Sequence, residues 1–460
     1  MAGARALAAA KCTATAGAVA AMLVVTAAAA APPENSPPQP AASPSMSKDA
    51  QPTPTETKPA APAAKQPVPQ QPEAKLERVT FADLPGWTSD DHLAALNALL
   101  KSCDAVGKAA AKPPTNKAVS QCKVPAGELA VACRAAQDVK ASSKAAAKAF
   151  FEAQFEPHRI VQQKPKGLLT GYYEPVLEGS RTPEGKFQTP VYKRPTDLVN
   201  VVDEADRASK PDGLTHVRQT TAGESPYPTR AEIEQGALAG KGLELLYLED
   251  PVEVFFMHIQ GSGRIHLTDG TTVRINYDGK NGHPYTSIGR YLIDNNLLDA
   301  NKVSMAALGK WLREDKARGQ QVMWQNRSYI FFRELGNEAE GPMGAMSVAL
   351  TPGRSLAVDT GYHTLGTLLY VSAPTLVHAT KQSGFNRLMV AQDVGSAIKG
   401  PERGDIYFGS GDEAGKLAGV TKHEGNFFVL LPKSAQSVEH GIRFGEHLQW
   451  QTTVKGGDDL

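Results

Sequence analysis

The chain has 460 residues, enough for about two or three domains, and its contents of 41% hydrophobic and 21% charged residues are ordinary for a globular protein. The net charge is +1, and the basic residues are scattered without aromatic residues between them, which argues against a nucleic-acid partner. A neutral or polymeric ligand fits this charge balance better.

The N-terminus has the pattern of an export signal followed by a linker. Arg5 and Lys11 form a basic region, and Ala14–Ala31 is an alanine-rich apolar run that ends in small residues. This pattern predicts a cleaved signal peptide over residues 1–31, with an uncleaved membrane anchor as the alternative. Residues 32–76 are rich in Pro, Ala, Gln, Ser and Lys. We predict a disordered linker there, because such a segment buries too little apolar surface to offset the entropy of ordering.

Three cysteines, Cys103, Cys122 and Cys133, follow the predicted signal peptide. An exported chain meets an oxidising compartment, so we expect one disulfide and one remaining thiol, and the spacing leaves the pairing open. The sequence lacks the Cys-x-x-Cys spacing of a zinc site, so these cysteines are interpreted as structural.

Three helices are predicted after Val79, where order should begin. Thr88-Ser89 is expected to cap the first, residues 128–136 form the second, and residues 143–155 form the third. The expected buried stripes are Leu93, Leu96, Leu99 and Leu100 in the first helix and Phe150, Phe151 and Phe155 in the third. A strand is predicted over Gly167–Pro175, which carries adjacent Tyr172 and Tyr173. Neighbouring side chains point to opposite faces of a strand, so one tyrosine should be exposed and available to stack on a sugar.

The middle of the chain reads as an insertion. Residues 178–227 are rich in Pro, Thr, Arg and Gly, and a helix is predicted over residues 229–239. Val252–Ile259 is the strongest strand signal of the chain, and Gln260–Gly263 should be the turn after it. A hairpin is predicted around Asp269-Gly270. Further elements are expected as helices over residues 287–296 and 304–316 and as a strand over residues 328–332.

The last segment, residues 341–432, has the short strands and glycine-rich turns of a barrel. Asp393 ends one apolar run and Asp405 opens another about a dozen residues later, with three glycines between them. Asp359 ends a third run. The glycines permit a tight return, so we predict that strand ends bring these carboxyls together.

Such carboxyls suit acid–base chemistry, because burial and a second carboxylate raise the pKa of an aspartate until it can protonate a leaving oxygen. Three other interpretations are open. The aspartates are simple turn residues; with His423 they bind Mg²⁺ or Ca²⁺; or Asp359-Thr360-Gly361 belongs to an aspartic protease, although the motif occurs once.

Seven segments, in this order, resemble the membrane-bound lytic murein transglycosylase A family of Gram-negative bacteria. They are LTGYYEP at Leu169–Pro175, PVYKRP at Pro190–Pro195, PTRAEIEQGAL at Pro228–Leu238, HIQGSG at His258–Gly263, YDGKNGHPYTSIG at Tyr277–Gly289, MVAQDVGSAIKG at Met389–Gly400 and GDIYFGSGDEAG at Gly404–Gly415.

The resemblance implies a fold that is mainly β with flanking helices. A double-psi β-barrel, made of residues 77–175 and 336–450 with helices at its N-terminal side, would be separated by a groove from a smaller β-barrel inserted as residues 176–335.

It also implies a reaction, the cleavage of the β-1,4 bond between N-acetylmuramic acid and N-acetylglucosamine with formation of a 1,6-anhydromuramoyl end. Asp405 would act alone, first as acid and then as base, without metal or cofactor. Asp393 would support it and raise its pKa, and Asp359 would order the site. The groove would be lined by Thr170, Tyr172, Tyr173, Gln260 and Ser262.

We predict an exo-acting enzyme of peptidoglycan strands, exported to the periplasm. The sequence does not itself separate exo- from endo-action, and it leaves open wall-remodelling partners and an association with the outer or inner membrane through the N-terminal segment. The chain departs from the family in lacking a lipid-attachment cysteine at a signal cleavage site and in carrying the long proline-rich linker. Two rival functions are an inverting glycoside hydrolase that uses Asp393 and Asp405, and a barrel that binds the wall without cutting it.

Overall fold

The computed structural model describes residues 74–433, except for 113–119, 121, 140–142, 163–165, 211, 337–339 and 381–383. The predicted signal peptide lies outside the described residues, and so does nearly all of the predicted linker. The last three linker residues differ from the prediction, because residues 74–76 open the first strand. Within the described residues, no helix is long and apolar enough to cross a membrane.

The described elements alternate between helices and short strands. The strands are β1 (Ala74–Arg78), β2 (Phe155–Gln162), β3 (Leu168–Glu174), β4 (Val176–Ser180), β5 (Thr189–Tyr192), β6 (Leu198–Asn200), β7 (His216–Thr220), β8 (Gly223–Pro226), β9 (Glu244–Leu248), β10 (Ser262–Leu267), β11 (Thr272–Lys280), β12 (Ile330–Leu335), β13 (Ser355–Val358), β14 (Leu368–Ala373), β15 (Phe385–Val394), β16 (Arg403–Ser410), β17 (Lys422–Glu424) and β18 (Asn426–Pro432). The helices are α1 (His92–Ala110), α2 (Ala126–Val139), α3 (Lys144–Gln154), α4 (Arg230–Glu232, continued by a π-helical turn Ile233–Ala237), α5 (Pro251–Gln260), α6 (Ile288–Asp294), α7 (Met305–Glu314), α8 (Lys316–Met323) and α9 (Gly411–Val420).

The first lobe is built on a nine-stranded sheet in the order β1-β2-β18-β14-β15-β13-β16-β3-β17. Most neighbours are antiparallel, but β13 runs parallel to β15 and β3 runs parallel to β16. Parallel neighbours cannot be joined by a hairpin and need a longer crossover connection. In this sheet, strands from early and late parts of the chain therefore lie side by side. Helices α1 to α3 pack on this sheet through the largest apolar core, which contains Leu96, Phe151 and Tyr370.

The inserted lobe runs from Val176 to Leu335 and carries a six-stranded sheet in the order β12-β11-β10-β4-β9-β5. A parallel bridge between Lys193, next to β5, and Phe332 in β12 joins the two outer strands, so the sheet closes into a barrel. Its interior is apolar, with Val191, Leu246 and Ile275 fully buried. Strands β6 to β8 form a separate three-stranded sheet.

The strand prediction for Val252–Ile259 is wrong, because this run is helix α5. The Asp250 side chain accepts a hydrogen bond from the Val252 amide, Pro251 occupies the first turn, and Gly261 ends the helix in the left-handed region at φ 79°. A continuous apolar run fits a strand or a helix that is buried all round. Here α5 lies between two cores, since Val254 packs in one and Phe255 in the other.

The N-terminal helices are confirmed with one shift of boundary. Helix α1 begins at His92 and is capped by Asp91, because Trp87–Ser89 forms its own tight turn around the buried Trp87. The residues of the predicted apolar stripes are buried or partly buried, but Phe155, predicted in the third helix, is extended and opens β2. A disulfide joins Cys103 of α1 to Cys133 of α2, and Cys122 is a buried free thiol.

The later predictions are mostly confirmed. β10 and β11 form the expected hairpin, and serines cap the two expected helices, Ser287 for α6 and Ser304 for α7. The helix predicted over residues 304–316 is shorter in the structure, where α7 ends at Glu314. Asp315 leaves helical geometry there and caps a separate helix, α8.

Candidate active site

Four neighbouring strands of the first lobe place Asp393, Ala357, Asp405 and Thr170 side by side. Asp393 pairs with Ala357 in the register of β15 and β13, Ala357 pairs with Asp405 across β13 and β16, and Asp405 pairs with Thr170 across β16 and β3. Residues opposite each other in register present their side chains to the same face of a sheet. The two predicted carboxyls therefore flank a small residue on one face, as the sequence analysis expects.

A pair of tyrosines extends this row by one pleat. Tyr172 and Tyr407 stand two residues beyond Thr170 and Asp405, so the alternation of the strands puts them on the same face. Their ring centroids are 5.4 Å apart. The Tyr172 hydroxyl donates to Asp393 Oδ2 at 2.8 Å, so this buried tyrosine reaches across the row to the second carboxyl.

Asp405 is half-buried, and its Oδ1 accepts a hydrogen bond of 2.5 Å from the Thr170 hydroxyl. Arg403 donates to the same hydroxyl at 2.9 Å, and thereby fixes Thr170 as the donor toward Asp405. Burial raises the pKa of Asp405, against the opposing effects of the Arg403 charge and the Thr170 hydrogen bond. The main cause of the raised pKa is thus desolvation.

Asp393 accepts hydrogen bonds from the Tyr172 hydroxyl, from the Ala345 amide at 3.0 Å to Oδ1, and from the Val394 amide. Burial raises its pKa to about 6, although these hydrogen bonds oppose the rise, and the charge of Asp405 adds to it. Asp393 therefore releases its proton at a higher pH than an exposed aspartate does.

The position of Asp393 is fixed by the residue before it. Gln392 is fully buried, and its side-chain Nε2 donates to Ala98 O at 2.9 Å and to Ser102 Oγ at 2.7 Å on helix α1. Its carbonyl oxygen accepts a 2.5 Å hydrogen bond from Ser355 in β13. Both polar atoms of the Gln392 side-chain amide are hydrogen-bonded, so they hold β15, the strand that carries Asp393, against helix α1 and strand β13.

Asp359 follows β13 and acts on the loop between β15 and β16. Its carboxylate accepts from the Gly361 amide at 3.0 Å and from the Gly400 amide at 2.8 Å. Among the described residues, no hydrogen bond joins Asp359 to Asp393 or Asp405. The structure therefore places Asp359 as a clamp on the loop that connects the two other aspartates.

The predicted lining residues divide into two groups. Thr170 and Tyr172 contact the carboxyls directly. Tyr173 points to the other face of β3, against Gly415 of α9, and its amide donates to Gln260 Oε1 at 3.0 Å. Gln260 and Ser262 are buried, and no hydrogen bond of the described residues joins either to Asp405 or Asp393.

Several residues of the site were not found by sequence reasoning. Arg403 is one of them. It stands two residues before Asp405 on a strand, and because residues two apart share a face, its place beside Asp405 could have been predicted. The others come from the inserted lobe. Lys280 donates to Ser396 at 3.3 Å in the β15–β16 loop, and Tyr285 has a pKa raised mainly by burial, with a contribution from the charge of Asp405.

Glu174, at the end of β3, joins the two lobes. Its carboxylate is fully buried and accepts from Arg274 Nε at 2.6 Å in the inserted lobe and from Ser410 Oγ at 2.5 Å in the first lobe. Arg264 lies 3.5 Å away as a second cation. These contacts of Glu174 hold the end of β3 between the two lobes, beside the site.

The arrangement offers no metal centre in the described part of the chain, where no three His, Cys, Asp or Glu side chains cluster as ligands. His423 instead forms a hydrogen bond of 3.1 Å with Thr375.

Comparison with known proteins gives consistent matches. Residues 168–333 match the family model of the MltA specific insert domain, and residues 354–431 match that of the 3D domain. Membrane-bound lytic murein transglycosylase A of Vibrio cholerae is 35% identical over 268 residues, which span 57% of this chain and 65% of that relative.

Two solved structures are also similar. The membrane-bound lytic murein transglycosylase from Agrobacterium tumefaciens is 39% identical with a TM-score of 0.71, over 79% of this chain and 99% of that one. The Escherichia coli MltA with bound chitohexaose is 28% identical with a TM-score of 0.56, over 78% and 94%. These matches confirm the resemblance and the predicted fold class, a double-psi barrel with a second β-barrel inserted into it.

Proposed function

This chain belongs to the membrane-bound lytic murein transglycosylase A family, and we propose that it is a lytic transglycosylase of peptidoglycan. It cleaves the β-1,4 bond between N-acetylmuramic acid and N-acetylglucosamine and leaves a 1,6-anhydromuramoyl end. The observation that carries this proposal is Asp405, half-buried with a raised pKa and held by Thr170. The E. coli relative with bound chitohexaose supports a glycan as the ligand.

Asp405 performs both proton transfers. In its neutral form it gives its proton to the glycosidic oxygen as the C1–O bond breaks. The resulting carboxylate then takes the proton of the C6 hydroxyl of the same sugar, whose oxygen closes on C1. No water is consumed, and Asp405 regains its proton at the end. One carboxyl suffices because each transfer leaves it in the state that the next one needs.

The surroundings of Asp405 suit both states. Burial favours the neutral acid before cleavage, whereas the Thr170 hydrogen bond and the Arg403 charge stabilise the carboxylate that follows. Asp393 accepts a hydrogen bond from Tyr172, and the charge of Asp405 contributes to its raised pKa, so the two carboxyls interact. Asp359 orders the loop between Asp393 and Asp405. The substrate's acetamido group can stabilise the cation, so a second protein nucleophile is not needed.

The alternative functions make different products. An inverting hydrolase would use Asp393 as base on a water molecule, with Asp405 as acid, and would leave a reducing end. The separation of the two carboxyls by one strand permits this geometry, so product chemistry must decide. A barrel that only binds the wall would release no fragments.

The direct test is incubation of the purified chain with isolated peptidoglycan sacculi. We expect soluble muropeptides to be released, with equal rates in the presence and absence of a chelator. Binding to sacculi without release would contradict the proposal in favour of a wall-binding module. Loss of release in the chelator would favour the Mg²⁺ or Ca²⁺ site.

We further propose export to the periplasm, membrane association through the N-terminal segment, exo-action on glycan strands and contact with wall-remodelling partners. The relatives are named membrane-bound, which supports a place in the cell envelope.

The Thr170→Val variant should shift the pH dependence of kcat/KM. Thr170 stabilises the carboxylate of Asp405, so its removal raises the pKa of Asp405 further. The acid must be protonated to act, so the alkaline limb of the profile should move to higher pH. The Thr170→Ser variant keeps the donor and should keep the wild-type limb. If the alkaline limb of the Thr170→Val profile stayed at the wild-type pH, Thr170 would not be setting the pKa of Asp405.

A further inference from the structure

An open cavity of about 360 Å³ lies in the inserted lobe, apart from the carboxyl row. Its apolar wall consists of Tyr227 with the prolines on either side, and its polar wall contains Glu232, His283 and Arg327. The proposed reaction uses none of these side chains.

The walls of this cavity are held in place by buried hydrogen bonds. Asn281 is fully buried, and its amide donates to Pro228 O at 2.8 Å and to Arg327 O at 2.9 Å. His283 Nε2 donates to Tyr227 O at 2.7 Å. These contacts join three separate segments, so the cavity exists before any ligand arrives.

Three polar groups at the cavity retain unused hydrogen-bonding capacity. Glu232 Oε2 accepts from Thr229 at 2.7 and 2.8 Å, which lowers its pKa and keeps it ionised, while Oε1 has no partner among the described residues. His283 uses Nε2 as a donor, and burial lowers its pKa, so Nδ1 is a neutral acceptor. The Arg327 guanidinium makes no hydrogen bond or ion pair with the described part of the chain.

The wall thus combines a cation, an anion and a neutral acceptor. A guanidinium takes a carboxylate through two parallel N–H donors, and a carboxylate with an imidazole nitrogen accepts the N–H groups of an ammonium. A ligand with only one of these charges would match only one of the two protein charges. The complementary ligand carries an ammonium and a carboxylate close together.

We propose that this cavity binds the zwitterionic end of a peptide, in which one carbon carries both the ammonium and the carboxylate. That this peptide is the peptide arm of murein rests on the proposed function. The position fits, because His283 lines the cavity and Tyr285, two residues later, lies near Asp405. A peptide arm beside the cleaved bond would thus meet the cavity along one loop.

The test uses a synthetic tripeptide ending in meso-diaminopimelate, titrated into the full chain and followed by ligand-detected NMR. We expect saturable binding with a Kd on the order of 1 mM, because the charged groups are solvent-exposed. Two matched peptides, one acetylated on that amine and one amidated on the adjacent carboxylate, should each bind at least about tenfold more weakly.

Variants of the chain separate the two charges. Arg327→Gln should weaken the parent tripeptide by about tenfold and leave the amidated peptide unaffected. Glu232→Gln keeps an oxygen for the Thr229 cap, and it should weaken the parent tripeptide by about tenfold and leave the acetylated peptide unaffected. Arg290→Gln, an exposed change on α6 outside the cavity, is the control and should bind like the wild type.

Absence of saturable binding, or equal binding by wild type and Arg327→Gln, would overturn the proposal. The outcome is separable from the proposed function. Arg327→Gln should release fragments from peptide-free glycan strands as fast as the wild type, and should raise KM only for strands that carry peptides. A chain that binds the tripeptide but releases no fragments would support the cavity and overturn the enzyme.

Discussion

In the Asp405→Asn variant the fold should be retained, and the release of soluble fragments from sacculi should fall by about 10²- to 10⁴-fold. Asparagine has nearly the same shape but cannot give or take the proton, and a positioned acid–base group contributes rate factors of this size. Fragment release per unit time, followed by chromatography, is the measurement.

Two controls make this experiment specific. Asp138→Asn makes the same chemical change at an exposed position of α2 and should release fragments at the wild-type rate. The midpoint of thermal unfolding checks the fold of Asp405→Asn. Because burial raises the pKa of Asp405, the folded state loses stability as pH rises through that pKa, and the variant escapes this loss. Its midpoint at neutral pH should therefore not lie below that of the wild type. Wild-type activity in a folded Asp405→Asn variant would reject the assigned role.

The Asp90→Ala variant should lose about 3–5 kcal/mol of unfolding free energy. Asp90 and Arg354 are both buried and form two hydrogen bonds of 2.7 and 3.0 Å, and Asp90 also accepts from the Leu388 amide at 2.8 Å. Alanine leaves a buried guanidinium without its counter-ion and a buried amide without its acceptor. Urea unfolding at neutral pH measures the loss.

The matched control is Asp294→Ala, which breaks an exposed pair with Arg290 on α6. Exposed pairs of this kind contribute less than about 0.5 kcal/mol, so the control should stay near the wild type. A comparable loss in both variants would show that burial does not govern the Asp90 contact. Because Leu388 lies in β15, which leads to Asp393, Asp90→Ala should also weaken activity before the chain unfolds.

Local pattern was sufficient to place Asp393 and Asp405, because each stands next to an apolar run that becomes a strand in the core. It was insufficient for α5. Val252–Ile259 is apolar at nearly every position, so neither period is visible, and only Asp250, Pro251 and Gly261 at its ends carry the helical signal. Weighing those ends above the β-branched content would have corrected the prediction.

The opposite faces of Tyr172 and Tyr173 follow from strand geometry, but the face that holds the carboxyls is decided by pairing with β16. That pairing joins residues far apart in sequence. Gln392 shows the same limit, since its partners Ala98 and Ser102 lie on α1, 294 and 290 residues earlier in the sequence. Tyr285 approaches Asp405 from the inserted lobe, and periodicity carries no information about contact between lobes.

The central claim is that one carboxyl cleaves the strand without water, and digestion of sacculi in H₂¹⁸O tests it most directly. We expect mass spectrometry to show muropeptides that are lighter than the reducing-end products by one water and that contain no ¹⁸O. Reducing ends labelled with ¹⁸O as the primary product would contradict the account and identify a hydrolase.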